Sequence, residues 1–147
     1  MSFGSKLPRN VVVELGTNGT VSLSACRSVV NTAGKYRRVF LVTARVPRSW
    51  EAGNLRTLQA CDASYAAKRV RIIDWHAHSA GHPEWFVADR VHLSASGRTA
   101  FQRLIDRRTE SEHALGLEQR RSLEGLRFGA LMKQLQALQA IQGLQEL

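Results

Sequence analysis

The chain has 147 residues, of which 44% are hydrophobic, and this predicts one globular domain with room for a short appendage. Its net charge of +9 makes nucleic acids and other anionic polymers candidate partners. The basic residues are scattered and do not alternate with aromatic residues, which argues against nucleic-acid binding. No apolar run approaches the ~20 residues that span a bilayer, and the first residues lack the apolar centre of a signal peptide. We therefore expect a soluble chain without a secretion signal.

Three short apolar segments have the pattern of buried strands, and two predicted helices separate them. The strands are predicted at 11–15, 38–45 and 69–75, and the helices at 22–32 and 54–67. An amphipathic helix is predicted at 95–108. This alternation is typical of a parallel sheet with crossover helices. The loops after the first and third strands then lie at the carboxyl ends of strands, where open α/β sheets bind ligands.

An aspartate and a histidine three residues apart are the strongest chemical signal in the chain. Asp89 and His92 lie between apolar residues, shortly before the predicted helix at 95–108. An aspartate that orients a histidine, with the histidine as general base, makes up two thirds of a catalytic triad. The alternative is a structural pair, in which the carboxylate caps a turn and the imidazole is buried.

Other histidines and both cysteines allow further interpretations. Residues 76–83 are predicted to form a loop, yet His76 and His78 could point to one face of a strand and, with His82, bind zinc. No cysteine lies nearby, and we predict no metal site. Cys26 and Cys61 lie on helices that follow neighbouring strands, a position that fits a disulfide and two separate buried thiols equally well.

The character of the sequence changes at residue 109. Glutamates and arginines mix over 110–127, and apolar residues recur at almost every third position over 135–147. We predict a domain at 1–108 and a helical extension at 109–147. A period of three winds the apolar stripe around a helix, which favours packing on its own domain, or fraying, over self-association.

Four blocks, taken together, resemble the SGNH hydrolase superfamily, and most closely the acyltransferase domain of bacterial peptidoglycan and cell-surface O-acetyltransferases. They are VVVELGTNG (11–19), VFLVTARVPRSWE (39–51) with Asn54, IIDWH (72–76) and HPEWFVADRVHLS (82–94) with Gly97. The resemblance covers residues 6 to about 108. It implies an α/β fold with a three-layer, flavodoxin-like parallel sheet. It also implies acyl transfer through a serine ester, without metal or cofactor, in a domain that lies outside the cytoplasm.

The resemblance also implies roles for individual residues. His92 is the expected general base, and Asp89 is expected to hold its imidazole and stabilise the imidazolium. Asn18 and Gly16, in the loop after the first strand, are the expected oxyanion hole. The residues expected to line the substrate site are Arg45, Arg48, Trp50 and Trp85.

The chain departs from the family pattern in two places. Arg90 stands where the family has the glycine of Asp-Gly-x-His, and it would strain the loop if the backbone there has a positive φ. The family's nucleophile lies in a Gly-Asp-Ser turn after an earlier strand, and no such segment is identifiable here, so the nucleophile is unknown. We therefore expect a fold that is incomplete at its N-terminus, with an exposed edge on the first strand.

Two functions fit these observations. The first is an SGNH-type O-acyltransferase or esterase domain that is truncated and inactive as a lone chain. The second is a non-catalytic module that binds a glycan or a protein through the residual cleft and the exposed sheet edge. The expected partners are an acylated glycan or a small acyl ester, and a second copy of the chain through the strand edge or the C-terminal helix.

Overall fold

The computed structural model describes residues 7–66 and 69–145, which form a mixed α/β fold. The elements in chain order are β1 (Asn10–Leu15), α1 (Leu23–Ala33), β2 (Arg38–Thr43), α2 (Glu51–Ala63), β3 (Val70–Ile73), α3 (Trp75–His78) and α4 (Ala95–Gln145). A 3-10 turn (Pro83–Trp85) lies between α3 and α4. The predicted alternation of strands and helices is confirmed.

The three strands form one parallel sheet in the order β1-β2-β3. Val12 lies opposite Phe40, and Leu41 lies opposite Ile72. The central strand, β2, is buried from Val39 to Thr43, as a strand with neighbours on both sides and cover on both faces should be. This explains why its sequence is a continuous apolar run.

Two apolar clusters lie on opposite faces of the sheet. On one face, α1 and α2 cover Val39 and Leu41, and a disulfide between Cys26 and Cys61 joins the two helices. The two Cα atoms are 6.3 Å apart and both side chains are fully buried, so the disulfide alternative is the correct one. On the other face, the buried residues are Phe40, Val42, Ile73, Trp75 and Leu104 of α4. The result is the helix–sheet–helix layering predicted above.

The outer edge of β1 is exposed. Among the described strands, β1 pairs with β2 alone. Val12 shares a face with Phe40, which is 1% exposed, but Val12 itself is 38% exposed. The layer that covers Phe40 therefore does not reach Val12, and β1 has a free edge and an apolar face that is partly uncovered on this side of the sheet.

Several predicted boundaries were wrong. The strands predicted at 38–45 and 69–75 end at Thr43 and Ile73, and the helix predicted to end at 67 ends at Ala63. The helix predicted from 54 begins at Glu51, because Trp50 precedes it without a side-chain cap that the sequence could signal. The loop predicted at 76–83 contains α3, whose first turn is capped by Asp74. The helix predicted to end at 108 is part of α4.

Contacts between Cα atoms divide the chain into two compact units, Met1–Arg108 and Thr109–Leu147. The segment predicted as a helical extension lies within α4 as far as Gln145. The side chains of the repeat at 135–147, on which the question of self-association depends, lie outside the described residues. None of the helices described is both long and apolar enough to cross a membrane.

Candidate active site

Asp89 and His92 lie in a short loop that is closed by its own backbone. Phe86 and Leu93 form an isolated antiparallel bridge, and the Val87 N–H donates to the His92 carbonyl at 2.9 Å. Inside this loop, the Nδ1 atom of His92 lies 2.6 Å from Oδ2 of Asp89. With the proton on Nδ1, the imidazole donates to the carboxylate and Nε2 is left with a lone pair.

The second oxygen of Asp89 stabilises the backbone of the same loop. Oδ1 accepts the N–H of Val91 at 2.8 Å and the N–H of His92 at 2.9 Å. The hydrogen bond from the His92 ring, followed by these two N–H groups, lowers the pKa of Asp89 to about 2. The carboxylate is therefore ionised at neutral pH, and it holds both the turn and the imidazole.

The imidazole of His92 faces solvent. Its side chain is 79% exposed, and over residues 7–66 and 69–145 its Nε2 atom makes no hydrogen bond. The structural alternative required a buried imidazole, and in that respect it was wrong. Its other half, a carboxylate that caps a turn, is present. An exposed, oriented imidazole with a free Nε2 can take a proton from a substrate or a nucleophile.

Arg90 has a left-handed backbone conformation, with φ of +58°, and is the one non-glycine residue with positive φ in the described part of the chain. This conformation costs an L-residue about 1–2 kcal/mol. We expected Arg90 to strain the loop if its φ were positive. Its φ is positive, so the strain is present between Asp89 and Val91.

The loop after β1 is held in place by a buried asparagine. Nδ2 of Asn54 donates to the carbonyls of Gly16, at 3.3 Å, and Gly19, at 2.8 Å, while Oδ1 accepts the N–H of Val21 at 2.8 Å. The indole N–H of Trp50 donates to the same Gly16 carbonyl at 3.1 Å. Four hydrogen bonds from α2 and its N-cap residue thus fix the loop.

Gly16 is required at its position. Its φ is +104°, and a Cβ atom there would lie 2.6 Å from Nδ2 of Asn54. Asn18, two residues later, is exposed and presented by this loop. Asn54 had no predicted role. The available signal was an asparagine among the apolar helix positions Leu55 and Leu58, since a polar side chain buried there needs hydrogen-bond partners.

Two cavities open next to the Asp89–His92 loop. The first has a volume of about 190 Å³ and is lined by Glu14, Thr17, Arg45, Val46, Trp75, Val91, His92, Leu93 and Phe101. The second has a volume of about 490 Å³ and is lined by Arg45, Val46, Pro47, Glu51, Ser79, Gly81, His82, Pro83, Phe86 and Arg90. Arg45 and Val46 belong to both walls, so the two cavities are neighbours.

The four residues expected to line a substrate site have different surroundings. Arg45 lines both cavities, and its Nη1 atom donates to the His76 carbonyl at 3.0 Å. Arg48 is exposed. Trp50 supports the loop after β1 through its indole N–H. The ring of Trp85 stacks on Trp75, with centroids 5.5 Å apart, and on His82 at 3.8 Å.

The zinc alternative rested on a strand that is not formed. His76 and His78 lie in helix α3, where side chains two residues apart do not share a face. Nε2 of His76 is 3.4 Å from Oε2 of Glu51, and Nδ1 of His82 is 2.8 Å from Oε1 of Glu84. Among the described residues, no three histidine, cysteine, aspartate or glutamate side chains are grouped so that they could hold a metal ion.

No family model matches the chain. It is 37% identical over 107 residues to a Staphylococcus aureus protein named O-acetyltransferase OatA, an alignment that covers 73% of this chain and 17% of the relative. A putative peptidoglycan O-acetyltransferase of Bacillus subtilis, YrhL, is 37% identical over 95 residues, or 65% of this chain and 14% of the relative. The chain is homologous to a segment of bacterial O-acetyltransferases.

A third relative agrees with the first two. A putative O-acetyltransferase of S. aureus strain COL is 41% identical over 92 residues, which are 63% of this chain and 15% of the relative. The chain thus spans less than a fifth of the length of each of these relatives.

Removal of the imidazole is expected to raise the pKa of Asp89. In His92→Ala it should rise from about 2 towards the ordinary value of 3.8, but remain below it, because the N–H groups of Val91 and residue 92 still donate. The measurement is a carboxyl-carbon NMR titration. A pKa that stays at about 2 in the variant would show that the His92 ring is not the main cause of the shift.

The direction of the Asp89 pKa shift also determines how this residue makes the stability of the fold depend on pH. A pKa that is lower in the folded state stabilises the fold fully above the ordinary value of 3.8, and the effect is lost as the pH falls through the folded value of about 2. His92→Ala should therefore narrow the difference in the free energy of unfolding between pH 5 and pH 2.

Asn54→Ala is expected to destabilise the fold by about 2 kcal/mol, because it leaves the carbonyl of Gly19 and the N–H of Val21 without their partner. Urea denaturation gives the free energy of unfolding. The matched control is Asn31→Ala, an exposed helical asparagine whose side chain accepts one bond from Tyr65. Equal losses in the two variants would contradict the anchoring role of Asn54.

Proposed function

We propose that this chain supplies the histidine base, its orienting aspartate and an oxyanion donor of an SGNH-type O-acyltransferase or esterase. The observation that carries the proposal is the contact of 2.6 Å between Asp89 Oδ2 and His92 Nδ1, with Nε2 free beside a cavity. The names of the relatives, O-acetyltransferases, support acyl transfer as the reaction class.

The reaction is transfer of an acyl group through a serine ester. A serine Oγ attacks the carbonyl carbon of the acyl donor while His92 Nε2 takes the serine proton. The bond from that carbon to the donor oxygen breaks, and His92 returns the proton to the departing oxygen. An acceptor hydroxyl, or water, then attacks the acyl-serine, with His92 taking its proton and returning it to the serine Oγ.

Asn18 and Asp89 stabilise the charges that develop in this sequence. The Asn18 amide donates to the oxyanion of each tetrahedral intermediate, a type of contact that is worth about 3 kcal/mol. Asp89, ionised because its pKa is about 2, stabilises the imidazolium while His92 carries the proton. Asn54 and Trp50 hold the loop from which Asn18 extends.

The serine is proposed to come from a strand that pairs with the free edge of β1. No hydroxyl group donates to Nε2 of His92 within the described ranges. The carboxyl ends of parallel strands meet at one side of a sheet, and the cavity beside His92 is lined by Glu14 and Thr17, at that end of β1. A serine just after an added parallel strand would enter this cavity. The chain alone is therefore inactive in acyl transfer.

A fusion protein tests the proposal. The chain is joined to the segment that directly precedes the matching region in the S. aureus relative, and both proteins are treated with a fluorophosphonate probe. We expect intact-mass spectrometry to show one serine adduct on the fusion and none on the chain alone. A fusion that keeps the circular dichroism of the chain, but forms no adduct and hydrolyses no p-nitrophenyl acetate, would contradict the proposal.

A second candidate function is binding without catalysis. The free edge of β1 and the partly exposed side chain of Val12 favour pairing with a strand of another chain, including a second copy. Size-exclusion chromatography with light scattering distinguishes a monomer from a dimer. If the wild type is a dimer and the Val12→Lys variant is a monomer, the result supports edge pairing. A wild-type chain that is monomeric at every concentration, and binds no acylated glycan, would exclude this function.

The disulfide between Cys26 and Cys61 bears on where the chain works. It joins two buried cysteines on α1 and α2. Such bonds persist in oxidising surroundings, so we place the proposed reaction outside the cytoplasm.

A further inference from the structure

We propose that Asn18 is a modification site, at which attack by the Gly19 backbone nitrogen converts the side-chain amide to a carboxylate. The conversion needs only water, and it switches off the proposed acyl-transfer site, in which Asn18 is the oxyanion donor. This deepens the proposed function. The loss of activity rests on that function, whereas the chemical conversion of Asn18 does not.

Asn18 differs from the other asparagines of the chain in the residue that follows it. Asparagines stand at positions 10, 18, 31 and 54, and only the one at 18 precedes a glycine. Because glycine has no Cβ atom, its backbone is less hindered and less restricted than that of any other residue. The nitrogen of Gly19 can therefore approach the Cγ atom of Asn18 more readily than the nitrogen of a residue with a side chain.

The surroundings of Asn18 and Gly19 leave both reacting groups accessible. The Asn18 side chain is exposed, and it makes no hydrogen bond with any group in the described part of the chain. The Gly19 N–H donates to no group there either. A Cβ atom added at Gly19 would meet nothing within 4 Å, so no other side chain crowds this part of the loop.

The loop is anchored on both sides of Asn18, but not at Asn18 itself. Nδ2 of Asn54 donates to the carbonyls of Gly16 and Gly19, and its Oδ1 accepts the N–H of Val21. None of these bonds involves the Gly19 nitrogen or the Asn18 amide, the two groups that react. The loop can therefore keep its place in the fold while the side chain changes.

The reaction is an intramolecular substitution at the Asn18 side chain. The Gly19 nitrogen attacks Cγ, the N–Cγ bond forms, and the bond from Cγ to Nδ2 breaks. The Gly19 proton passes to the departing nitrogen, which leaves as ammonia, and a five-membered cyclic imide remains. Water then opens the imide at Cγ, which gives aspartate, or at the main-chain carbonyl carbon of Asn18, which gives isoaspartate. Both products carry a carboxylate in place of the amide.

A carboxylate at position 18 has the wrong charge for an oxyanion hole. The loop reaches the cavity of about 190 Å³ that His92 lines, since Thr17, the neighbour of Asn18, belongs to the same wall. The amide donates an N–H group to the oxyanion, whereas an ionised carboxylate has no donor and repels it. Loss of one such donor lowers kcat by about 10²–10³-fold. We therefore expect conversion of Asn18 to inactivate the site irreversibly.

Peptide mapping of the chain during incubation at pH 8 and 37 °C tests the conversion. Tandem mass spectrometry measures, for each asparagine, the fraction in which oxygen has replaced NH. We expect Asn18 to convert at least about 10-fold faster than Asn31, which is also exposed but precedes the β-branched Thr32. A synthetic peptide of residues 13–21 gives the rate in the absence of the fold.

Gly19→Ala is the matched variant, because it keeps Asn18 and changes only the attacking residue. The φ of Gly19 is not positive, and an added Cβ meets nothing within 4 Å, so the circular dichroism should not change. Conversion of Asn18 should slow by at least about 10-fold. The inference is overturned if Asn18 of the folded chain stays intact while the peptide converts, or if Gly19→Ala converts as fast as the wild type.

The serine-bearing fusion protein tests the effect on activity. During incubation, its rate of p-nitrophenyl acetate hydrolysis should fall in proportion to the fraction of Asn18 that remains intact. Gly19→Ala should keep its own initial rate for longer. Asn18→Asp should lower kcat by about 10²-fold or more. A rate that stays constant while Asn18 converts would overturn the inference that the modification switches off the site.

The two experiments separate this inference from the proposed function, because the conversion of Asn18 requires no serine. Conversion in a fusion that forms no serine adduct would refute acyl transfer and leave the modification site standing. An active fusion whose Asn18 stays intact would refute the modification site and leave acyl transfer standing.

Discussion

Replacing Gly97 with alanine is expected to destabilise the fold by about 3 kcal/mol. A Cβ atom at this position would lie 1.9 Å from the carbonyl oxygen of Trp85 and 2.8 Å from its carbonyl carbon. That oxygen cannot move away freely, because it accepts the Ser94 N–H at 2.9 Å. The first turn of α4 would have to separate from the segment that leads into the Asp89–His92 loop.

Two other helical glycines provide controls for Gly97→Ala. Gly53 in α2 and Gly125 in α4 have no atom within 4 Å of an added Cβ. Alanine should stabilise the helix at each position by up to ~1 kcal/mol. Urea denaturation monitored by circular dichroism measures all three variants. An unfolding midpoint of Gly97→Ala equal to that of the wild type would show that the close approach to Trp85 is not a constraint.

The second large effect is expected on catalysis. In the fusion protein that carries a serine, His92→Ala should lower kcat for p-nitrophenyl acetate by about 10⁴-fold or more, since it removes the proposed base that takes the serine proton. Asp89→Asn should lower kcat by about 10⁴-fold as well. An asparagine that donates its N–H₂ to Nδ1 would place the imidazole proton on Nε2, where the base needs a lone pair.

A second carboxylate–imidazole pair, Glu84 and His82, provides a control for Asp89→Asn. Glu84 lies 2.8 Å from Nδ1 of His82, and this hydrogen bond lowers the pKa of Glu84, as that of His92 does for Asp89. Glu84→Gln should change kcat by less than about threefold. If Glu84→Gln lowers kcat as much as Asp89→Asn does, the fall in kcat reflects a general loss of structure. The value of about 2 for the pKa of Asp89 also predicts that this residue causes no change of rate between pH 5 and pH 8.

Contacts between residues close in sequence could be predicted, whereas contacts between residues far apart in sequence could not. Asp89 and His92 are three residues apart, and their loop closes on itself, so the spacing alone indicated the pair. Asn54 lies 35 residues from the Gly19 carbonyl to which it donates. The helical spacing around Asn54 indicates at most that its side chain is buried. It does not indicate that the Gly19 carbonyl is its hydrogen-bond partner.

The start of α2 was missed for a related reason. Trp50 precedes the helix without a capping side-chain bond, whereas the carboxylate of the first helical residue, Glu51, reaches back to the Val46 N–H at 2.7 Å. An N-cap prediction looks for Ser, Thr, Asp or Asn at the first position, and this helix begins with none of them.

The sequence by itself determined the alternation of strands and helices, the parallel sheet and the Asp89–His92 pair, whereas the positive φ that strains Arg90 was seen only in the structure. Each of these depends on local periodicity or on residues within one loop. Only the tertiary structure decided that Cys26 and Cys61 are bonded, that Asn54 holds the Gly16 loop, and that Arg45 and Arg90 line one cavity. Those contacts join residues 33 or more positions apart, and they form only when strand register and helix packing bring separate elements together.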